Sequence, residues 1–260
     1  MKRLLFIAAT IIAIVHGGRV RIIEGTIATA HEFPYQVSIQ WNYANGSRPA
    51  HFCSGSILNR RWILTAAHCE GNFTPEGWME VVAGVNNIAT EETGAQRRNV
   101  SRFVAHERYS SGTLRNDIAV IRLSKPLHFG STIATIRLAN NDTVIDHTAA
   151  AKFAGWGSIS KTWDDIFPDE LRRVDLPLRT MKDCEKMRPS VDSSVICAGG
   201  YRNVSGCTAD SGGPLAITVS DRTAQIGLLS YGEKPCRATM PVVFTSVPHF
   251  HAWIQSKIAK

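Results

Sequence analysis

The chain has 260 residues with 44% hydrophobic content, enough for one large domain or for two stacked β-barrels sharing a cleft, and this composition excludes a disordered protein. Its formal charge of +7 includes Lys2, Arg3, Arg19 and Arg21, and the first 21 positions hold no acidic residue, so removing that segment would leave about +3. The basic balance is therefore weak support for nucleic acid or heparin as a partner.

At the N-terminus, Lys2 and Arg3 precede an apolar run from Leu4 to Val15, followed by Gly17 and Gly18. This pattern predicts a secretory signal over residues 1–17 and an extracellular product. The run is about 12 residues, whereas a spanning helix needs about 20, so no membrane association is expected.

The body that follows breaks into short apolar or alternating runs: YQVSIQW, RWILTAAH, MEVVAGV, IAVIRL, AKFAGW, QIGLLSY and VVFTSV. Turn-formers such as NGS, FPDE and SGG separate them, which predicts an all-β barrel or sandwich. A helical period occurs only at the end, where Phe250, Trp253, Ile254 and Ile258 recur at three- and four-residue spacing in a helix expected to cap the body. No repeat or linker marks independent domains.

Asn45, Asn72, Asn99, Asn141 and Asn203 each begin an N-x-[ST] triplet, and the first four are candidate glycan sites in an exported chain. The six cysteines, Cys53, Cys69, Cys184, Cys197, Cys207 and Cys236, are expected to form disulfides in an oxidising compartment, with no pairing chosen by spacing alone.

Three stretches carry candidate chemistry: LTAAHC with His68, RNDIAVIRL with Asp117, and GCTADSGGPL with Ser211. A hydroxyl becomes an effective nucleophile when a base removes its proton and an acid behind that base fixes the tautomer. Ser, His and Asp supply those roles. Singly, each has a plain structural explanation: a histidine beside a cysteine, a turn aspartate, a serine in a glycine-rich loop.

Together, in the order His, Asp, Ser, these stretches resemble the trypsin/chymotrypsin family of secreted serine endopeptidases over Ile22 to Lys260. The resemblance implies two six-stranded antiparallel β-barrels, with the active site in the cleft between them and a C-terminal helix. It implies a catalytic triad of His68, Asp117 and Ser211. The RIIEG segment is similar to the family's activation site, implying a propeptide at residues 18–21, cleavage after Arg21 by another protease, and pairing of the freed Ile22 amine with Asp210. The disulfides implied are Cys53 to Cys69, Cys184 to Cys197 and Cys207 to Cys236, a set similar to that of arthropod digestive and salivary proteases.

The same resemblance puts Ser205 at the base of the primary pocket, where trypsins carry Asp, which argues against cleavage after Lys or Arg. Gly232 and Val242 would form the pocket walls, and Ser230 belongs to the segment that pairs with extended substrate. A valine at 242 projecting inward would shorten the slot, leaving chymotrypsin-like and elastase-like preferences both open; a valine pointing away would not. Asn203, two residues from Ser205, is not expected to carry a glycan. Val85 and Ala95 stand where trypsins place two calcium-binding glutamates, so no metal and no cofactor are expected, with Glu91 and Glu92 nearby. Protein or peptide substrates, serpin or Kunitz-type inhibitors and a monomeric state follow from the same resemblance.

The motif departs from the family at Ala209, which replaces a glycine whose N–H, with that of Ser211, forms the oxyanion hole. If alanine tolerates a left-handed backbone there, the cost is on the order of 1–2 kcal/mol. If the peptide flips, loss of one donor costs roughly 10²–10³ in turnover. The first case gives a working protease; the second gives a weak or inactive homologue acting as a secreted binding or decoy protein.

Overall fold

A computed structural model describes residues 25–70, 76–90, 92–200, 205–236 and 238–259. The expected signal and propeptide, Arg21, Ile22, Asn72, Glu91 and Asn203 lie outside the described residues. Among the described residues, no helix is long and apolar enough to cross a membrane.

The first half contains β1 (Thr26–Ile27), β2 (Gln36–Tyr43), β3 (Ala50–Ile57), β4 (Trp62–Thr65), β5 (Gly77–Ala83), β6 (Gln96–Ala105) and β7 (Ala119–Leu123). Strands β2 to β7 close into a six-stranded barrel in the order β2-β3-β4-β7-β6-β5. The second half contains β8 (Arg137–Leu138), β9 (Ala150–Gly155), β10 (Arg172–Pro177), α1 (Met181–Met187), β11 (Val195–Gly199), β12 (Pro214–Val219), β13 (Arg222–Tyr231), β14 (Pro241–Ser246) and α2 (Val247–Ile258).

The second sheet runs β1-β10-β9-β12-β13-β14-β11, with β8 added parallel to β13. Six of its strands match the expected set; β1 and β8, two residues each, extend it to eight. It curls without closing through a continuous ladder; an isolated bridge between Leu178, just after β10, and Ala198 of β11 brings those two strands together.

The predicted runs fall on β2, β4, β5, β7, β9, β13 and β14, where apolar side chains alternate into a core or are buried on both faces. Strand β6, QRRNVSRFVA, has no fully buried residue and is rich in polar ones, so it carries little apolar pattern from which it could be read. Helix α1 is an addition to the single C-terminal helix expected. At seven residues it is too short to establish a 3.6-residue period, but Thr180 caps it by accepting from the Asp183 N–H at 3.2 Å.

Val37, Ile39, Ile63, Leu64, Val120 and Ile121 fill the first barrel, and Phe153, Leu176, Leu215, Leu229 and Phe244 fill the second sheet. A third cluster, including Phe33, Tyr35, Val82, Trp156 and Ala216, draws on strands from both. Helix α2 follows the second sheet in sequence, yet it packs Val247, Phe250 and Ile254 into the core of the first barrel. The chain leaving the second sheet is thereby anchored on the first barrel.

The three disulfides are Cys53–Cys69, Cys184–Cys197 and Cys207–Cys236, the pairing that the resemblance implies. Asn45 and Asn141 are exposed in turns, and Asn99 is exposed within β6.

Candidate active site

Strand β4 ends at Thr65, and the chain turns through a short 3-10 helix, Ala67–Glu70, that carries His68. Asp117 lies just before β7, where Asn116 adopts φ 52° and anchors the bend by donating from Nδ2 to the Arg108 carbonyl at 2.8 Å. The Asp117 carboxylate is fully buried and accepts from the His68 N–H at 3.0 Å, while its other oxygen lies 2.8 Å from His68 Nδ1. Two bonds from one carboxylate fix both the backbone and the ring of His68, leaving Nε2 as the nitrogen able to take a proton.

Two residues of the second sheet complete the setting of Asp117. Ser230 on β13 donates from its hydroxyl to Asp117 Oδ2 at 2.5 Å, and Thr245 on β14 donates to the Asp117 carbonyl at 2.7 Å. The Ser230 side chain is therefore committed to this carboxylate, so any pairing with substrate at this residue must use its backbone.

Ser211 enters the same cleft on the turn before β12. Its carbonyl accepts from the Ser54 N–H at 2.7 Å and lies 3.8 Å from the sulfur of Cys69, the residue after His68. Gly212 makes this approach possible. It has φ 78°, and a Cβ there would overlap the Thr65 hydroxyl and the Ser54 carbonyl.

Ala209 has φ 70°, so the alanine occupies the left-handed conformation. Its carbonyl is held by His51 Nε2 at 3.0 Å, which as an N–H donates to it. His51 Nδ1 in turn meets the Ser38 hydroxyl at 2.8 Å, and Ser38 accepts from Gln40 Nε2, so the hydroxyl proton goes to the imidazole. Burial of the ring nitrogens pushes the His51 pKa down to about 4, keeping the ring neutral. Among the described residues, no intramolecular acceptor takes the N–H of Ala209 or of Ser211. The sequence reading missed His51; its only local signal was its place two residues before Cys53 in β3.

Asp210 is fully buried, accepting from the Gly157 N–H at 2.8 Å and the Cys207 N–H at 2.9 Å. Burial pushes its pKa up to about 7 despite those two donors. A Cβ at Gly157 would fall within the carboxyl group, so the glycine makes the space for it.

Beside Ser211 is a cavity of about 130 Å³ lined by residues including Gly206, Cys207, Tyr231, Gly232 and Cys236. Val242 is 1% exposed, and a Cβ at Gly232 would lie 3.8 Å from its Cγ2, so valine occupies the space facing Gly232. Ser205 is buried with its hydroxyl turned to the Gly206 carbonyl at 2.7 Å, and it does not line this cavity.

The described residues of the 85–95 segment form no calcium cradle. Val85 is packed in an apolar cluster with Ala95 against it, and the Glu92 carboxylate accepts from the N–H groups of Asn86 and Asn87 at 3.0 and 2.5 Å. The cluster of metal-type ligands among the described residues is Cys53, His68 and Cys69, in which the two sulfurs are bonded to each other.

The family model described as Trypsin matches residues 22–254. The chain is 34% identical over 241 residues to Serine protease 1 of Rattus norvegicus, covering 92% of this chain and 90% of the relative. It is 33% identical over 237 residues to Brachyurin of Leptuca pugilator, covering 91% of this chain and 98% of the relative.

Proposed function

The chain belongs to the trypsin family of serine endopeptidases, and on that premise we propose that it is an active protease working through Ser211, His68 and Asp117. In this reading His68 Nε2 takes the Ser211 proton as the hydroxyl attacks the scissile carbonyl. Asp117 then stabilises the imidazolium through Nδ1–H. The proton passes to the leaving amine, and water repeats the cycle on the acyl-enzyme.

The observation that carries this reading is the state of the oxyanion donors. The N–H groups of Ala209 and Ser211 are free of intramolecular acceptors among the described residues, and His51 holds the Ala209 carbonyl on the opposite side of the peptide. That arrangement favours a working hole over the binding or decoy alternative, because preorganised donors need no reorganisation when charge develops on the oxygen.

Activation is proposed to follow cleavage after Arg21. A buried carboxylate at Asp210 with a pKa near 7 is what a new ammonium group at Ile22 would relieve, and pairing would hold the Ser211 turn in place. The domain assignment is then a signal at 1–17, a propeptide at 18–21 and a protease domain at 22–260. Three disulfides suit an extracellular protein; secretion, a monomeric state, glycans at Asn45, Asn72, Asn99 or Asn141, and control by serpin or Kunitz-type inhibitors belong to the same proposal.

For specificity, Ser205 supplies no carboxylate, and the one carboxylate among the described residues lining the cavity beside Ser211, Glu233, accepts from the Thr239 hydroxyl at 2.8 Å, which together disfavour Lys and Arg, while Val242 facing Gly232 favours Leu, Met or smaller residues over Trp. The test is labelling by an organophosphate or a peptidyl chloromethyl ketone. Labelling should require both Ser211 and cleavage after Arg21, and Arg21→Gln should prevent it; an activated chain that does not label would refute the enzymatic reading.

A further inference from the structure

A second cavity, of about 350 Å³, is lined by Trp62, Arg102, Val104, Glu107, Arg122 and Lys257, and shares no residue with the cavity beside Ser211. Its floor is the β6–β7 ladder, where Arg102 and Arg122 are directly opposed. Like charges directly opposite across antiparallel strands repel. The pairing is the result of an irregularity: the register shifts between Val100 and Arg102, and Ser101, the extra residue, donates from its hydroxyl to the Arg122 carbonyl at 2.9 Å. Without that bulge, Ser101 would face Arg122. Bulges re-aim side chains, and this one places two arginines directly opposite each other in a common pocket lining.

Nothing among the described residues neutralises them. Neither arginine side chain has a hydrogen-bond or ion-pair partner there, although both are exposed. Glu107, the pocket's carboxylate, is taken by Lys257 and by Trp253 Nε1 at 2.9 Å, and those bonds hold its pKa down to about 2.

We propose that this pocket binds a sulfate ester of a sulfated oligosaccharide, with Arg102 and Arg122 as paired forks. Guanidinium groups bind tetrahedral oxyanions through two parallel N–H donors each, and an arginine pair presents enough donors for three oxygens at once. Half-buried Val104, backed by the buried Trp62, gives the pocket a small apolar side. The site is independent of the catalytic reading, and it concerns a local alignment that the chain's modest net charge does not reveal.

The experiment is calorimetric titration of the full chain with a heparin-derived hexasaccharide at about 0.15 M salt, where weak surface attraction is largely screened. Binding should weaken at least tenfold in Arg102→Gln/Arg122→Gln. It should be nearly unchanged in Lys152→Gln/Lys182→Gln, which loses equal charge on the other half of the molecule. The hexasaccharide should raise the Tm of the wild type and leave that of the arginine variant unmoved, while hydrolysis of a short peptide stays the same in both. Equal losses in the two variants, or no binding by the wild type, would overturn the proposal. So would equal affinity for a poly-glutamate peptide, which would make the pocket a general anion site.

Discussion

Ala209 was the residue at which the motif departed from its family, and its conformation now narrows the consequence. At φ 70° the methyl group costs strain but leaves the N–H available. Ala209→Gly should therefore stabilise the chain by no more than about 1 kcal/mol, measured by denaturant unfolding. It should change kcat by less than about threefold; a hundredfold gain would mean that the methyl group had been displacing the donor.

His51 matters more than its neighbours in the sequence suggested, because it fixes the peptide that presents that donor. His51→Ala should lower kcat roughly 10–100-fold with little change in KM, and His51→Gln, whose amide can donate to Ala209 and accept from Ser38, should restore most of the loss. The pH dependence follows from the lowered pKa. Between the ordinary 6.5 and about 4 the unfolded imidazole is protonated and the folded one is not, so stability is complete above pH 6.5 and falls as pH drops toward 4. Up to about 3 kcal/mol should be lost across that window. His51→Gln should remove this component, and thermal melts from pH 4 to 7 would show whether it does.

At the level of elements, β14 directs one side chain toward Gly232, a residue that lines the cavity beside Ser211. Val242 pairs with Ala198 on β11, so its side-chain direction is fixed by register, and the face it occupies is the one toward Gly232. Val242→Gly should raise kcat/KM for Phe and Trp relative to Leu by about tenfold, as removal of a side chain from an apolar slot is worth one to three kcal/mol. A cleavage profile on a peptide library is the measurement, and an unchanged profile would place the limiting contact elsewhere. The loop after β5 shows another way of fixing an element: Glu92 bonds the backbone N–H groups of Asn86 and Asn87, and so internally braces the segment in which the related trypsins would use a cation. The strands read from sequence were those with apolar sides to bury. Strand β6 was not among them because it packs only partly buried side chains, Val100, Phe103 and Val104, against the core and is otherwise mostly polar.

Across the whole molecule, the site depends on two halves that each supply part of it. His68 and Asp117 come from the first barrel, Ser211 and Ser230 from the second sheet, and the Ser230–Asp117 and Ser54–Ser211 bonds cross between them. Helix α2 secures that arrangement by burying Phe250 and Ile254 in the first barrel's core. Phe250→Ala should cost about 3–5 kcal/mol in unfolding free energy. Activity should fall before global unfolding as temperature rises, measured by parallel assays of hydrolysis and circular dichroism; coincident loss would mean that the halves are held together by other contacts.

The sequence by itself pointed to the serine-protease family. His68, Asp117 and Ser211 stood out because their local contexts were jointly specific, and the apolar runs marked seven of the fourteen described strands because an apolar side to bury is written in the chain. The tertiary structure decided what depends on residues far apart in sequence. His51 lies 158 positions from the carbonyl it holds, Ser230 lies 113 from the carboxylate it serves, and the arginines of the second pocket meet through a strand register. Such relations arise from which backbones pair and in what phase, and a one-residue bulge in β6 is enough to change them.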